Sequence, residues 1–127
     1  MKRSSWYALL ILLFVGASIP PVQAKICLHR GKIKMLRVHD LGTGYGPDNN
    51  FIDVEVVITF QNRPGIAYGF QLRNDEYLPA RQGMLNLLRD AFKNDWSVTI
   101  NYDTQFGYCP TEPIEPNGTI IRVELVK

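Results

Sequence analysis

Between Pro79 and Asp103 the chain reads PARQGMLNLLRDAFKNDWSVTINYD, a helical stripe, a stop and an alternating strand. Met84, Leu87, Leu88, Ala91 and Phe92 repeat at i, i+3, i+4, i+7 and i+8, the spacing of an apolar helix face. Proline is well tolerated at the first helical position, so the helix is expected to start near Pro79, and Asn94-Asp95 should end it. Trp96, Val98, Ile100 and Tyr102 then alternate with polar residues and predict a strand with those four facing inward. Outside the N-terminus this is the one strongly helical segment. Any fold for this chain must therefore close a β-rich domain around a single helix.

The segments before it read as strands. Ile26–His39 alternates, with Lys32 and Lys34 opposite Ile33 and Met35, then slips phase near Met35-Leu36 as a β-bulge would make it. His39–Asn50 is a loop of turn residues, with Gly42, Gly44 and Gly46 followed by Pro47-Asp48-Asn49-Asn50. Its GxGxG pattern precedes a strand and not a helix, so it does not read as a phosphate cradle. Phe51–Gln61 has strict period two, predicting Ile52, Val54, Val56, Ile58 and Phe60 inward. Asp53, Glu55, Val57, Thr59 and Gln61 should form a solvated face, with the two carboxylates within reach of Lys32 or Lys34. Pro64-Gly65 sits at the centre of an expected turn. Ala67–Arg73 then follows as a third strand, paired with the second in a hairpin. After the helix and fourth strand, Thr104–Gly118 is a second long loop. In it, Asn117-Gly118 reads as a tight turn, although Asn117-Gly118-Thr119 also fits a glycosylation sequon. Thr119–Val126 closes the chain as a fifth strand with Ile121, Val123 and Leu125 inward.

The N-terminus has the make-up of a secretory signal peptide over residues 1–24. Lys2-Arg3 precede the uncharged apolar run Trp6–Ala17, Pro20-Pro21 break it, and Val22-Gln23-Ala24 suit a peptidase. The run is shorter than the roughly 20 residues a membrane span needs. These features predict a secreted or periplasmic domain over residues 25–127, with no membrane span after cleavage. Removing Lys2 and Arg3 lowers the 14 basic residues to 12, matching the 12 acidic ones. That balance excludes a compositional case for nucleic-acid binding, which needs a basic surface. Cys27 and Cys109 are the two cysteines, both in the exported part, and an even count in an oxidising compartment predicts a disulfide.

The element order is β-β-β-α-β-β, with long loops after the first and fourth strands. This is the plan of a five-stranded, OB-fold-like Greek-key barrel, mainly β with one helix between strands three and four. The helix pattern Met84-Leu85-x-Leu87-Leu88-x-x-Ala91, the following Val98-Thr99-Ile100-Asn101-Tyr102, and an early cysteine paired with a distant one resemble the OB-fold B subunits of bacterial AB5 toxins, especially the subtilase-cytotoxin and pertussis-toxin-like group. That resemblance implies a homo-pentameric ring that binds host glycans. It carries over no sugar-contacting residue.

In barrels of this plan ligands lie across strands two and three between the long loops. Tyr45, Asn49, Gln71 and Arg73 are the candidate binding residues there, and Tyr102 and Tyr108 are further candidates. Aromatic rings suit sugars by stacking, and amides suit them by hydrogen bonding. The expectation is a non-enzymatic binding module for a glycan or protein ligand, with no cofactor and no metal. A periplasmic structural or inhibitory interaction domain is the alternative. Enzymatic chemistry has thinner support. His29 and His39 are the only histidines, no zinc motif or nucleophile elbow is present, and a small hydrolase would depend on Asp53, Glu55 and Arg73 meeting across the hairpin.

Overall fold

A computed structural model describes residues 25–47, 51–104, 108–109 and 117–127. The expected signal segment, residues 1–24, and Asn49 lie outside the described residues. Five strands and one helix follow in the expected order: β1 (Lys25–Val38), β2 (Val56–Phe60), β3 (Arg63–Phe70), α1 (Leu78–Asn94), β4 (Ser97–Thr104) and β5 (Gly118–Glu124). The strands close into a barrel in the order β1-β2-β3-β5-β4, with β4 returning to β1. All ladders are antiparallel except β3 with β5, a parallel pairing through Tyr68–Gly118 and Gly69–Thr119. Among the described residues no helix is long and apolar enough to cross a membrane.

Closure depends on β1. Its 14 residues serve two neighbours: the first half pairs with β4 from Lys25 to Lys32, and the second with β2 from Ile33 to Val38. The register shifts between Ile33 and Met35, close to the expected bulge. Such a bulge bends a strand sharply, which lets one strand turn from one sheet direction into the other.

The barrel interior holds Ile58, Phe60, Tyr68, Phe70, Val98, Ile100 and Tyr102, with Leu88 and Ala91 of α1 covering it. Burying such a side chain stabilises by about 1.5–3 kcal/mol. The buried hydroxyls of Tyr68 and Tyr102 accept hydrogen bonds from Arg63 Nη1 at 3.0 and 3.4 Å. A buried polar group would otherwise be costly. The disulfide joins Cys27, at the start of β1, to Cys109, with Cα atoms 5.6 Å apart.

Several side chains depart from the expected faces. Val57 and Glu55 were expected on a solvated face but are buried. The loop after β1 folds back over the outside of β1, β2 and β3. There Val54, Val57 and Ala67 form a second cluster with Met35, Tyr45 and Ile52. β2 begins only at Val56, so the expected alternation holds for Val56, Ile58 and Phe60, whereas Ile52 and Val54, expected inward, lie with Val57 in this outer cluster. The β2–β3 turn centres on Gln61-Asn62, because Phe60 pairs with Arg63 and Pro64-Gly65 already belong to β3. Asn117-Gly118 is a strand entry, not a turn. Gly118 pairs with Tyr68, and a Cβ on it would lie 2.6 Å from the Tyr102 ring.

On β5 the inward residues are Ile120 and Val123, not Ile121, which is 47% exposed. Tyr102 pairs with Ile120 and Asn101 with Arg122, so a bulge at Ile121 resets the phase. Leu125 packs against the core only in part. Trp96, Leu87 and Phe92, expected inward, are exposed. The buried helix face is narrower and runs through Met84, Leu85, Leu88 and Ala91, which leaves Leu87 and Phe92 at its margins. Asp95 ends α1 in the left-handed conformation at φ 57°, and Trp96 follows it before β4 begins.

Candidate functional site

The loop after β1 is fastened where it returns to the barrel. Tyr45 and Ile52 exchange two backbone hydrogen bonds, at 2.8 and 2.9 Å. The Phe51 ring lies directly on Gly44, where an added Cβ would sit inside the ring. Only glycine permits that approach. Phe51 thereby projects at the loop's end, about half exposed.

Beside it lies a groove of about 840 Å³ between the approach to β2, the exit from β3, the first turns of α1, and β5. Phe51 and Tyr77 supply aromatic surface, and Asp53, Gln71, Arg81 and Arg122 supply polar groups. A groove of mixed lining and this size suits a small ligand. Tyr77 is 58% exposed at the N-cap of α1. Asp75 fixes it: one carboxylate oxygen accepts from Tyr77 N at 2.8 Å, and the other accepts from Arg81 Nη1 at 2.9 Å. The Arg81 guanidinium also lies over the Tyr77 ring, 5.4 Å from its centroid.

The opposite wall is held by Arg73. Its Nη2 donates to Asp53 Oδ2 at 2.6 Å, and its Nε lies 3.5 Å from Glu55 Oε1. The Asp53 hydrogen bond above all holds the Arg73 pKa above its ordinary value; desolvation opposes it, and the charges of Asp53 and Glu55 add to the rise. Glu55 is 2% exposed. Its Oε1 also accepts from Leu72 N at 3.2 Å, while Oε2 has no hydrogen-bond partner. The expected pairing of these carboxylates with Lys32 or Lys34 does not form. Lys32 instead bonds Asp95 at 2.8 Å.

Of the candidate binding residues, Gln71 lines the groove and donates from Nε2 to Asp53 O at 3.1 Å. Arg73 acts one step behind it, orienting Asp53. Tyr45 stands outside the groove. Its ring packs on the second cluster with the Arg37 guanidinium 5.6 Å from its centroid, and so it anchors the loop that presents Phe51. Asn49 lies outside the described residues. Tyr102 is in the core, and Tyr108 is exposed beside Cys109, its carbonyl accepting from Thr104 Oγ1 at 3.2 Å.

Sequence reasoning missed Phe51, Tyr77, Arg81 and Arg122. Asp75-x-Tyr77 just before a helix was the available signal for Tyr77, since an aspartate there bonds the backbone two residues on. Alternation already puts Arg122 on the outer face of the last strand, but local spacing does not show that this face meets α1 at the groove.

Both histidines are committed to structural bonds. His39 Nε2 is 2.6 Å from Val54 O, and His29 Nε2 is 2.9 Å from Asn62 Oδ1. Asp53, Glu55 and Arg73 do meet, but as an ion-pair cluster whose innermost carboxylate is sealed from solvent. Among the described residues no three His, Cys, Asp or Glu side chains are grouped to hold a metal. No protein-family model, curated protein or solved structure significantly matches the chain.

Proposed function

We propose that this chain is an exported, non-enzymatic binding module for saccharides, and that the groove between Phe51, Gln71, Tyr77 and Arg81 is its ligand site. The observation that carries the reading is the pairing of two exposed aromatic rings with rigidly held polar groups in one groove. Sugar rings offer an apolar C–H face for an aromatic platform and hydroxyls that donate and accept around their rim. Gln71 and the Arg–carboxylate pairs meet the rim, while Tyr77 and Phe51 meet the face. Pre-organisation supports affinity, because side chains already immobilised lose little entropy on binding. Arg81 is held by Asp75 and lies over the Tyr77 ring, and Asp53 is held by Arg73.

The test is a glycan array probed with the wild type and with a Gln71→Ala/Tyr77→Ala double variant. Bound glycans lost in the variant, with unchanged thermal unfolding, support the proposal. An array on which the wild type binds nothing refutes it.

The toxin-B-subunit resemblance adds assembly to this reading. Ile26 and Leu28, 59% and 64% exposed on the outer face of β1, give a pentameric ring an apolar contact to bury. Native mass spectrometry at micromolar concentration checks it, and a monomer there would remove the ring from the proposal without touching the groove.

A further inference from the structure

A second hollow, which shares no lining residue with the groove, lies between β1, the junction of α1 with β4, and the residues that follow β5; its volume is about 500 Å³. Trp96, Leu125 and Val126 give it apolar surface, and Arg30, Ser97 and Lys127 give it polar groups. Asp95 closes α1 at φ 57°, the one positive φ outside glycine among the described residues. Trp96 N then donates to Ala91 O at 2.9 Å, so Trp96 is tied to the helix end while the β4 ladder begins at Ser97. Its indole stays 51% exposed beside the hollow. The side-chain charges here are unequal. Asp95 is the one acidic side chain in the lining, and Lys32 already holds it at 2.8 Å. Arg30 precedes Lys32 on the same outer face of β1 and pairs across the ladder with Thr99. Among the described residues the Arg30 guanidinium is in no ion pair.

We propose that this hollow is a second binding site, for a small apolar carboxylate, and that Arg30 is the residue that recognises its charged end. The proposal is independent of the saccharide reading, since no residue serves both sites. Charge complementarity decides the occupant. The ligand's hydrocarbon body covers Trp96, Leu125 and Val126, where apolar area leaves water. Its carboxylate meets Arg30, whose planar fork suits two parallel charge-assisted N–H···O bonds. Asp95 does not compete for the guanidinium, because Lys32 holds it. An uncharged apolar surface pressed on the same place would bury Arg30 without a counter-ion, which is costly. A hollow of this size is within the range of small-ligand sites. The backbone under the site is fixed on both sides: Arg30 O accepts from Asn62 Nδ2 at 3.0 Å, and Trp96 N is bonded to the helix.

The experiment titrates the secreted chain with octanoate, hexanoate and octanol, by calorimetry and by tryptophan emission. Trp96 is the one tryptophan outside residues 1–24, so a change in emission reports this site. The expected result is octanoate binding with a Kd of about 1 mM or tighter and a shifted Trp96 emission. Hexanoate should bind more weakly, by up to about fourfold per methylene lost. Octanoate should bind about fivefold more tightly than octanol, the attraction of unit charges about 4 Å apart in a water-like dielectric. Arg30→Gln should abolish that preference, leaving octanol binding and the unfolding midpoint unchanged. Octanoate that fails to bind at about 10 mM, or binds without moving Trp96 emission, overturns the site. Octanol binding as tightly as octanoate, or a preference that survives Arg30→Gln, overturns the role of Arg30 and with it the carboxylate. A dimer that Trp96→Ala dissociates, with no octanoate bound, means that a second copy covers the hollow and overturns the proposal. None of these outcomes bears on glycan binding by the groove.

Discussion

Removing the Cys27–Cys109 cross-link is the perturbation whose size the structure defines best. The two residues are 82 apart in sequence, yet their Cα atoms lie 5.6 Å apart in the folded chain. The chain around them is already positioned. β1 pairs with β4 from Lys25 to Lys32, and Cys27 faces Tyr102 in that ladder. Cross-linking therefore costs the native state little and acts on the unfolded state, where it closes a long loop. The chain-entropy model puts that closure at about 4.5 kcal/mol, a large share of the roughly 5–15 kcal/mol total for a domain. Cys109→Ala is the cleaner variant, because Cys27 is 3% exposed in the core and its sulfur then stays in place. At about 4–8 °C per kcal/mol for a domain of this size, its midpoint should fall by roughly 18–36 °C. Thermal unfolding followed by circular dichroism, with the variant kept under reductant, reads this directly. Wild type under the same reductant should coincide with the variant. A midpoint within 5 °C of the oxidised wild type would refute the reasoning, and would mean that the unfolded chain is already as compact as the cross-link makes it.

Gly44→Ala drives a methyl group into the Phe51 ring, so it should push Phe51 out of the groove wall. We expect at least a fivefold loss of glycan affinity, roughly 1 kcal/mol, with little change in the unfolding midpoint. Gly69→Ala places a Cβ against the Val56 carbonyl and the Val54 side chain. Overpacking of that kind costs about 1–3 kcal/mol, read as a lower denaturant midpoint with an unchanged slope. Lys32→Ala breaks the pair with Asp95, whose side chains are 45% and 67% exposed. Exposed pairs contribute about 0–1 kcal/mol, so urea unfolding should barely move, and a loss above 2 kcal/mol would contradict the surface assignment.

The order of elements was legible because helix and strand periods differ and each element is long enough to show one. The helix ends, the disulfide and the bulge near Met35 were readable for the same reason: each leaves a local mark. Faces were less legible. Alternation in Phe51–Gln61 distinguishes two sides but says nothing of what covers them, and a folded-back loop buries Val57 and Glu55 from outside the barrel. Ile121 shows the other limit. A single bulged residue moved one inward position of β5 from Ile121 to Ile120 while Val123 stayed inward, and its cause lies in the register with Asn101 and Tyr102 across the sheet. The candidate groove was legible only in part. Gln71 could be named as a hairpin residue just beyond β3, whereas Phe51 depends on a contact with Gly44 and Tyr77 on a bond from Asp75, which are meetings that local spacing does not encode.

The parallel seam between β3 and β5 has a consequence for how the barrel should open. β1 and β4 are laced through eight residue pairs, whereas β3 and β5 meet through two, Tyr68–Gly118 and Gly69–Thr119. Opening fluctuations start where pairing is thinnest, so the barrel is expected to open first at this seam, like a cuff at its clasp. Phe70 and Gln71 on one side of that clasp, and Thr119 to Val123 on the other, line the same groove. A ligand seated across them, as proposed above, would bridge both halves and hold them together. Occupancy should register as slowed amide exchange along the start of β5, a signal generated by the barrel itself whatever the ligand's colour, charge or size.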